Sequence, residues 1–220
     1  MAAYDLEEQE QIDELKTWWK QYGNLATTVI TIVAVVAVGW QGWNWWQRDQ
    51  AAQAAEVYAA LERAEAAKDV KRARDAAGEL IDKFSGTSYA GLAALASAKL
   101  QFDSGDTKNA KLQLAWAAEH GKDVELRDLA RLRLASVLAD EKAYDEALTQ
   151  LASPPVEPLA ARYAEVRGDV LVAQGKSAEA RAAYATALTK LGESGAKPDQ
   201  RQAGYRDMLQ VKLESLGAKP

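Results

Sequence analysis

The chain holds one histidine, His120, and no cysteine. His120 lies in "AAEHGKD" beside Glu119, and an imidazole next to a carboxylate could act as a general base. Nothing nucleophilic shares that local sequence. Gly121 follows directly, so the residue also reads as a cation-capable group at a helix C-terminus with glycine as the cap. One imidazole without a thiol leaves a metal site to carboxylates alone. Those carboxylates are spread along "LERAEAAKDVKRARD" beside lysine and arginine, the pattern of a solvated helix face with local ion pairs. "GDTKNAK" lacks the repeated glycines and flanking strand of a phosphate loop. The expectation is a chain without catalysis, cofactor, metal or small-molecule substrate.

Aromatic residues form the other conspicuous set. "NWWQRD" could cage a ligand, or it could sit at the headgroup level of a bilayer. The surrounding sequence favours the second reading. Between Lys20 and Arg48 lie 27 residues without a charge, against about 20 needed to cross a hydrocarbon core. From Leu25 to Val38 only Leu, Ala, Thr, Val and Ile occur. Trp18, Trp19 and Tyr22 precede this run, and Trp40, Trp43, Trp45 and Trp46 follow it. Tyr22 to Trp43 is about 31 Å as a helix. A core helix has no reason to gather indoles at both ends. A cleaved signal peptide wants a short basic start, whereas this start is long and acidic, although "AVG" at Ala37–Gly39 resembles a cleavage site. The reading is a retained transmembrane helix over 24–46 behind an acidic tail, 1–23. Lys16 and Lys20 outnumber Arg48 near the span, which places the N-terminus in the cytoplasm and residues 47–220 across the membrane.

The net charge of −5 is uneven. Residues 1–23 carry a net −4, while residues 51–220 hold 24 basic and 25 acidic side chains. No basic stripe exists for nucleic acid. The absence of cysteine rules out disulfides and is compatible with any compartment.

Abundant alanine and an apolar fraction of 48% favour helix-on-helix packing. "FDSGDTKNA", "LADEKAYDEA" and "LVAQGKSAEA" each read as a helix end, a turn and a new helix. Their closing alanines, Ala110, Ala147 and Ala180, are spaced near the 34-residue tetratricopeptide period. Positions twelve before and seven after each give Ala98 and Ala117, Ala135 and Pro154, and Gly168 and Ala187. Eight of these nine are Ala or Gly, as close helix approach requires. Leu114, Leu151 and Tyr184 recur four residues after the central alanine and are expected to fill the space between hairpins. Gln101, Arg131 and Arg167 depart from the pattern, and "SPPVEP" should end the second helix of the middle repeat early.

The fold expected is all-α: a single transmembrane helix, then a tetratricopeptide-like α-solenoid. Repeats are placed at about 50–90, 91–127, 128–160 and 161–194, with a capping helix at 198–217. The anchor helix can run into the first repeat, because no proline or glycine interrupts 43–67. In this register one helix of each hairpin lines a concave side. It offers Leu92, Leu95, Lys99 and Phe102, then Leu129, Leu132 and Ser136, then Arg162, Glu165 and Asp169. These form a candidate protein-binding groove, or the leucines are core and the register is off by one.

"LEEQEQIDELKTWWKQYGN", "FSGTSYAGLAALASAKL" and "RGDVLVAQGKSAEARAAYATAL" together resemble the YfgM family of Gram-negative bacteria. The resemblance covers essentially the whole chain, and its most specific part is the acidic start that meets "KTWWKQYGN". It implies an inner-membrane protein with a periplasmic repeat domain. The partners it implies are the Sec translocon channel subunits and a membrane-anchored periplasmic chaperone of the prolyl isomerase type. It implies no contact residues. An envelope-assembly or division scaffold with the same architecture and other clients remains the alternative.

Overall fold

The computed structural model describes residues 2–193 and 200–217, with side chains described for 12, 13, 15–193 and 202–217. Among them every element is a helix: α1 (Ala2–Ala66), α2 (Val70–Lys83), α3 (Ser88–Asp103), α4 (Thr107–His120), α5 (Val124–Asp140), α6 (Tyr144–Gln150), α7 (Glu157–Ala173), α8 (Ser177–Glu193) and α9 (Gln200–Ser215). The described chain is thus all-α, as its alanine content and helical periodicity lead one to expect. It divides into two compact units, 1–50 and 51–220.

The first unit belongs to α1, a helix that no proline interrupts, since every proline in the chain lies at 154 or beyond. Its middle is long and apolar enough to cross a membrane. Val29, Ile30, Ile32, Val33, Val35, Val36 and Val38 are all exposed. The threonines in this stretch are satisfied within the helix. Thr27 Oγ1 donates to the Gly23 carbonyl at 2.8 Å, Thr28 to Asn24 at 2.7 Å and Thr31 to Thr27 at 2.8 Å. Such back-bonding leaves no hydroxyl proton unpaired, which hydrocarbon demands.

The second unit is built on one turn used four times. After α1, α3, α5 and α7 the same four backbone hydrogen bonds recur. In the turn after α3 they run from Ser104 N to Leu100 O, Gly105 N to Phe102 O, Asp106 N to Gln101 O and Ala110 N to Asp106 O. The turns at Ala67–Ala73, Glu141–Ala147 and Gln174–Ala180 repeat them bond for bond. One residue in each turn takes a positive φ: Lys68, Gly105, Lys142 and Gly175. The residue that follows each turn by one helical turn, Ala73, Ala110, Ala147 or Ala180, is fully buried. The segment before α3 is therefore a hairpin of the same type as the later ones.

Small residues set how closely the helices of a hairpin approach. Ala98, Ala110, Ala117, Ala135, Ala147, Gly168, Ala180 and Ala187 are all buried. Leu114, Leu151 and Tyr184 are buried between hairpins. In the first hairpin Leu61 stands where the others have Ala or Gly, and Leu80 where they have Ala or, in the α5/α6 hairpin, Pro154. Accordingly α3/α4 and α7/α8 pack most extensively, and α1/α2 far less.

Pro154 is exposed, because α6 ends at Gln150. The prolines that follow cannot donate to a helix ladder and disfavour helical geometry before them. The loop is fixed to α5 by buried Asp128, whose Oδ2 accepts from the Val156 N–H at 2.8 Å and whose Oδ1 accepts from Arg131 at 2.9 Å. The repeat boundaries expected near 91 and 128 fall inside α3 and α5. The small-residue register marks contact points, whereas helix starts are set by the turns at Thr87 and Asp123.

Candidate protein-binding surface

A cleft of about 420 Å³ opens between α3 and α5. Leu95, Ala98 and Leu114 from α3 and α4 form its apolar floor with Val137 of α5. Lys99 and Phe102 stand on the α3 side, Arg133, Ser136 and Asp140 on the α5 side. Phe102 is 43% exposed, uncommon for one of only two phenylalanines in the chain. Lys99 is paired with Asp103 at 2.5 Å. Arg133 and Asp140 form no ion pair among the described residues and lie on one face of α5, at i and i+7. An apolar floor with unneutralised charges of both signs on its rim suits a protein segment carrying an apolar anchor and flanking polar groups.

Of the residues expected in a groove, Leu95, Lys99, Phe102 and Ser136 are brought together here. Leu92 is half-buried, and Leu129 and Leu132 pack against the main core cluster. Leu132 lies about 100° round α5 from Arg133, whereas Leu129 is one turn before Arg133 on the same side, nearer the start of the helix. Arg133, Val137 and Asp140 take their place, a stripe with the same helical spacing that the alternating leucines obscured.

The expected positions on α7 have a different fate. Glu165 is 5% exposed, not open to a partner. Lys212 of α9 donates to Glu165 Oε1 at 2.9 Å and to both carboxylate oxygens of Asp169 at 2.8 Å. Tyr205 Oη and Arg162 Nη1 donate to Glu165 Oε2 at 2.8 and 3.0 Å. The Arg162 guanidinium stands 4.3 Å from the Tyr205 ring centre. Tyr184 Oη donates to Asp169 at 2.6 Å. Burial pushes the Glu165 carboxyl up, but hydrogen bonds from Lys212 and Tyr205, and the charges of Lys212 and Arg162, outweigh it and hold the group below its ordinary range. Burial pulls the Lys212 ammonium down, while Asp169 and Glu165 carry it above its ordinary value. The Tyr205 and Tyr184 hydroxyls are pushed up, first by burial and then by the carboxylates they bond. Leu209, fully buried against Ala164, Tyr184 and Ala187, supplies the apolar part of the same docking. These side chains act as a clamp for α9.

His120 closes α4, stacked on Trp116 with ring centres 5.6 Å apart and Nδ1 3.3 Å from the Trp116 carbonyl. Trp18, Trp19 and Tyr22 at one level of α1, and Trp40, Trp43, Trp45 and Trp46 at the other, are all exposed. The acidic residues of the tail before Ile12 lie outside the described side chains.

Residues 16–218 match a family described as a tetratricopeptide repeat-like domain. Over 217 residues the chain is 32% identical to the ancillary SecYEG translocon subunit of Neisseria gonorrhoeae, covering 98% of this chain and all of that protein. The protein of the same name from Haemophilus influenzae is 30% identical over 215 residues, 97% of this chain and all of the relative. That of Escherichia coli is 32% identical over 129 residues, 59% of this chain and 58% of the relative. In the first two the similarity runs through both the apolar stretch of α1 and the helical hairpins.

Proposed function

The chain belongs to the YfgM family, whose members carry a tetratricopeptide repeat-like domain and are named ancillary SecYEG translocon subunits, and on that premise we propose that it is a membrane-anchored, Sec-associated binding protein. The observation that carries this reading is identity that spans the anchor and the hairpins alike. A shared repeat alone is common to many scaffolds, whereas a shared anchor and repeat together point to a shared site of action.

In this reading α1 crosses the inner membrane once. Its N-terminus is cytoplasmic, in line with Lys16 and Lys20 against Arg48, and residues 47–220 lie in the periplasm. The α3/α5 cleft receives segments of other proteins, with Phe102 and Leu95 as the apolar contacts and Arg133 and Asp140 as the polar rim. The role is binding rather than catalysis: the chain docks beside the Sec channel and links it to a membrane-anchored periplasmic chaperone. Anchoring confines the cleft near the channel exit and so raises its effective concentration for emerging chains.

The test is purification of the full-length protein in mild detergent from cells, with in-cell crosslinking from Phe102 and Arg133. Channel subunits in the eluate, and crosslinks to exported chains that vanish in Phe102→Ala, are expected. Absence of channel subunits from the eluate rejects the Sec role. Protease added outside spheroplasts should digest residues 51–220, and protection there rejects the orientation.

A further inference from the structure

One side of α1, at the end of its apolar run, forms a cavity of about 330 Å³ lined by Trp40, Gln41, Asn44, Trp45 and Arg48. The five share a face because they recur one turn apart, at i, i+1, i+4, i+5 and i+8. Each carries hydrogen-bond donors: two indole N–H groups, two amide NH₂ groups and a guanidinium. None of these side chains has a hydrogen-bond or ion-pair partner among the described residues. The nearest carboxylates in sequence, Asp49 and Glu56, are not part of the lining. The cavity is therefore rich in donors and positively charged, with no acid to oppose an anion.

Depth names the anion. Trp43 closes the apolar length that begins at Tyr22, and Arg48 lies about 7 Å further along the helix. That is the level of the lipid headgroups, a layer of about 5–7 Å outside the hydrocarbon core. A glycerophospholipid presents acceptors there in a fixed order, phosphate oxygens outermost and ester carbonyls beneath. The donors of α1 follow the same order: Arg48, then Asn44 one turn deeper, then Gln41 a further turn in. The two amides need such a partner, because a polar group left unpaired at the edge of hydrocarbon is costly. Trp40 and Trp45 flank the three, 69% and 70% exposed, as apolar walls. The other end of the span is built differently: Lys16 is already paired with Asp13 at 3.0 Å, and the Trp19 ring packs over Gly23.

We infer that this cavity holds one anionic glycerophospholipid, with Arg48 on its phosphate, Asn44 and Gln41 on its ester carbonyls and the two indoles against its glycerol. A zwitterionic headgroup is disfavoured, since its ammonium meets Arg48 and finds no carboxylate. The inference rests on α1 crossing the membrane and is independent of the α3/α5 cleft.

The full-length protein in detergent is mixed with equal amounts of phosphatidylglycerol and phosphatidylcholine bearing the same acyl chains, and native mass spectrometry counts the lipids retained. We expect one tightly held phosphatidylglycerol, preferred about fivefold, the factor that one basic residue supplies near an anionic surface. Arg48→Gln should abolish the preference. Arg48→Lys should keep part of it, as a point charge without the guanidinium fork. Gln41→Ala with Asn44→Ala should weaken retention of both lipids. Lys20→Gln removes the same charge at the opposite end of the span and should leave the preference in place. Excess glycerol phosphate should not displace the lipid. Each variant is also reconstituted into phosphatidylcholine vesicles, where co-flotation and resistance to carbonate show that α1 is embedded. Failure to embed rejects the membrane span itself, whereas embedded protein without a lipid preference rejects this inference alone. Three further results overturn it: a preference that survives Arg48→Gln, an equal loss in Lys20→Gln, or displacement by glycerol phosphate, which would assign the donors to a soluble phosphate. Sedimentation supplies the last check. A dimer that dissociates in the Gln41 and Asn44 double variant would assign the amides to a helix–helix contact and also overturn it.

Discussion

The third and fourth hairpins, α5/α6 and α7/α8, start from the same instructions and end differently. Both use the same turn, and both bury alanine after it, Ala147 and Ala180. In both a small residue precedes the turn, Ala135 or Gly168. The third contact point is Pro154 in one, exposed beyond the end of α6, and Ala187 in the other, fully buried within α8. The longer hairpin is then covered by α9, while the shorter is left with an open notch. Hairpin geometry is therefore set by the turn and the close-approach residues. What covers a hairpin is set separately, by whatever helix is available to dock.

The largest test removes the cover. Leu209 is fully buried against Ala164, Tyr184 and Ala187. Leu209→Ala should cost about 3 kcal/mol through lost burial and the cavity left behind. Urea unfolding of the full-length protein in detergent, followed by tryptophan-independent far-ultraviolet circular dichroism, gives the loss. Hydrogen exchange should show it concentrated in α9, with α3–α5 protected as before. Uniform loss across all hairpins would mean that α9 is an inseparable part of the solenoid rather than a cover.

Lys212→Met should have the next largest effect, about 2 kcal/mol at neutral pH, because it takes the cation from Oε1 of the buried Glu165 carboxylate and leaves only the more exposed Arg162 on Oε2. Its pH dependence separates an ion clamp from simple packing. The Glu165 carboxyl is held below its ordinary value of 4.5 in the folded protein. Its stabilising contribution is thus complete above that value and is lost as pH falls through the lower folded value. The difference between wild type and Lys212→Met should be full at pH 7 and shrink steadily below about pH 4.5. A difference independent of pH would assign the effect to the lysine stem.

Gly168→Ala should cost about 1 kcal/mol despite the better helix propensity of alanine. A Cβ at this position would stand 2.6 Å from Tyr184 Cδ1. The ring cannot simply swing away, since it is buried and its hydroxyl is bonded to Asp169. A stability gain would show that the fourth hairpin has slack at its closest approach.

Much of this was readable in the sequence, for a physical reason. A close helix crossing excludes every side chain beyond a methyl group, so Ala98, Ala135 and Gly168 leave a periodic trace. A membrane span excludes charge, so the gap from Lys20 to Arg48 is equally plain. The prolines after Ser153 announce that α6 stops, but the resulting notch depends on α7 and α8 and has no local signature. The clamp was hidden because Lys212 lies 47 residues from Glu165 and 43 from Asp169. The face of α5 was obscured because half-buried Leu132 adjoins Arg133 and lets the stripe that starts at Leu129 be drawn through Leu132 instead of through Arg133 and Asp140.

The smallest test exchanges the one residue in which the two shared turns differ in backbone cost. Lys142 holds a φ of 64° where Gly175 holds 76°. A left-handed conformation costs an L-residue about 1 kcal/mol and costs glycine nothing. Lys142→Gly relieves that strain but also widens the freedom of the unfolded chain, so a net gain of about 0.5 kcal/mol is expected. Gly175→Lys runs the other way and should lose a similar amount. Urea midpoints with an unchanged slope would measure both. Opposite signs would establish that the hairpins share one turn and differ in how well each residue suits it. If both substitutions destabilise, the Lys142 side chain contributes contacts of its own, and the third turn is tuned to its hairpin rather than copied.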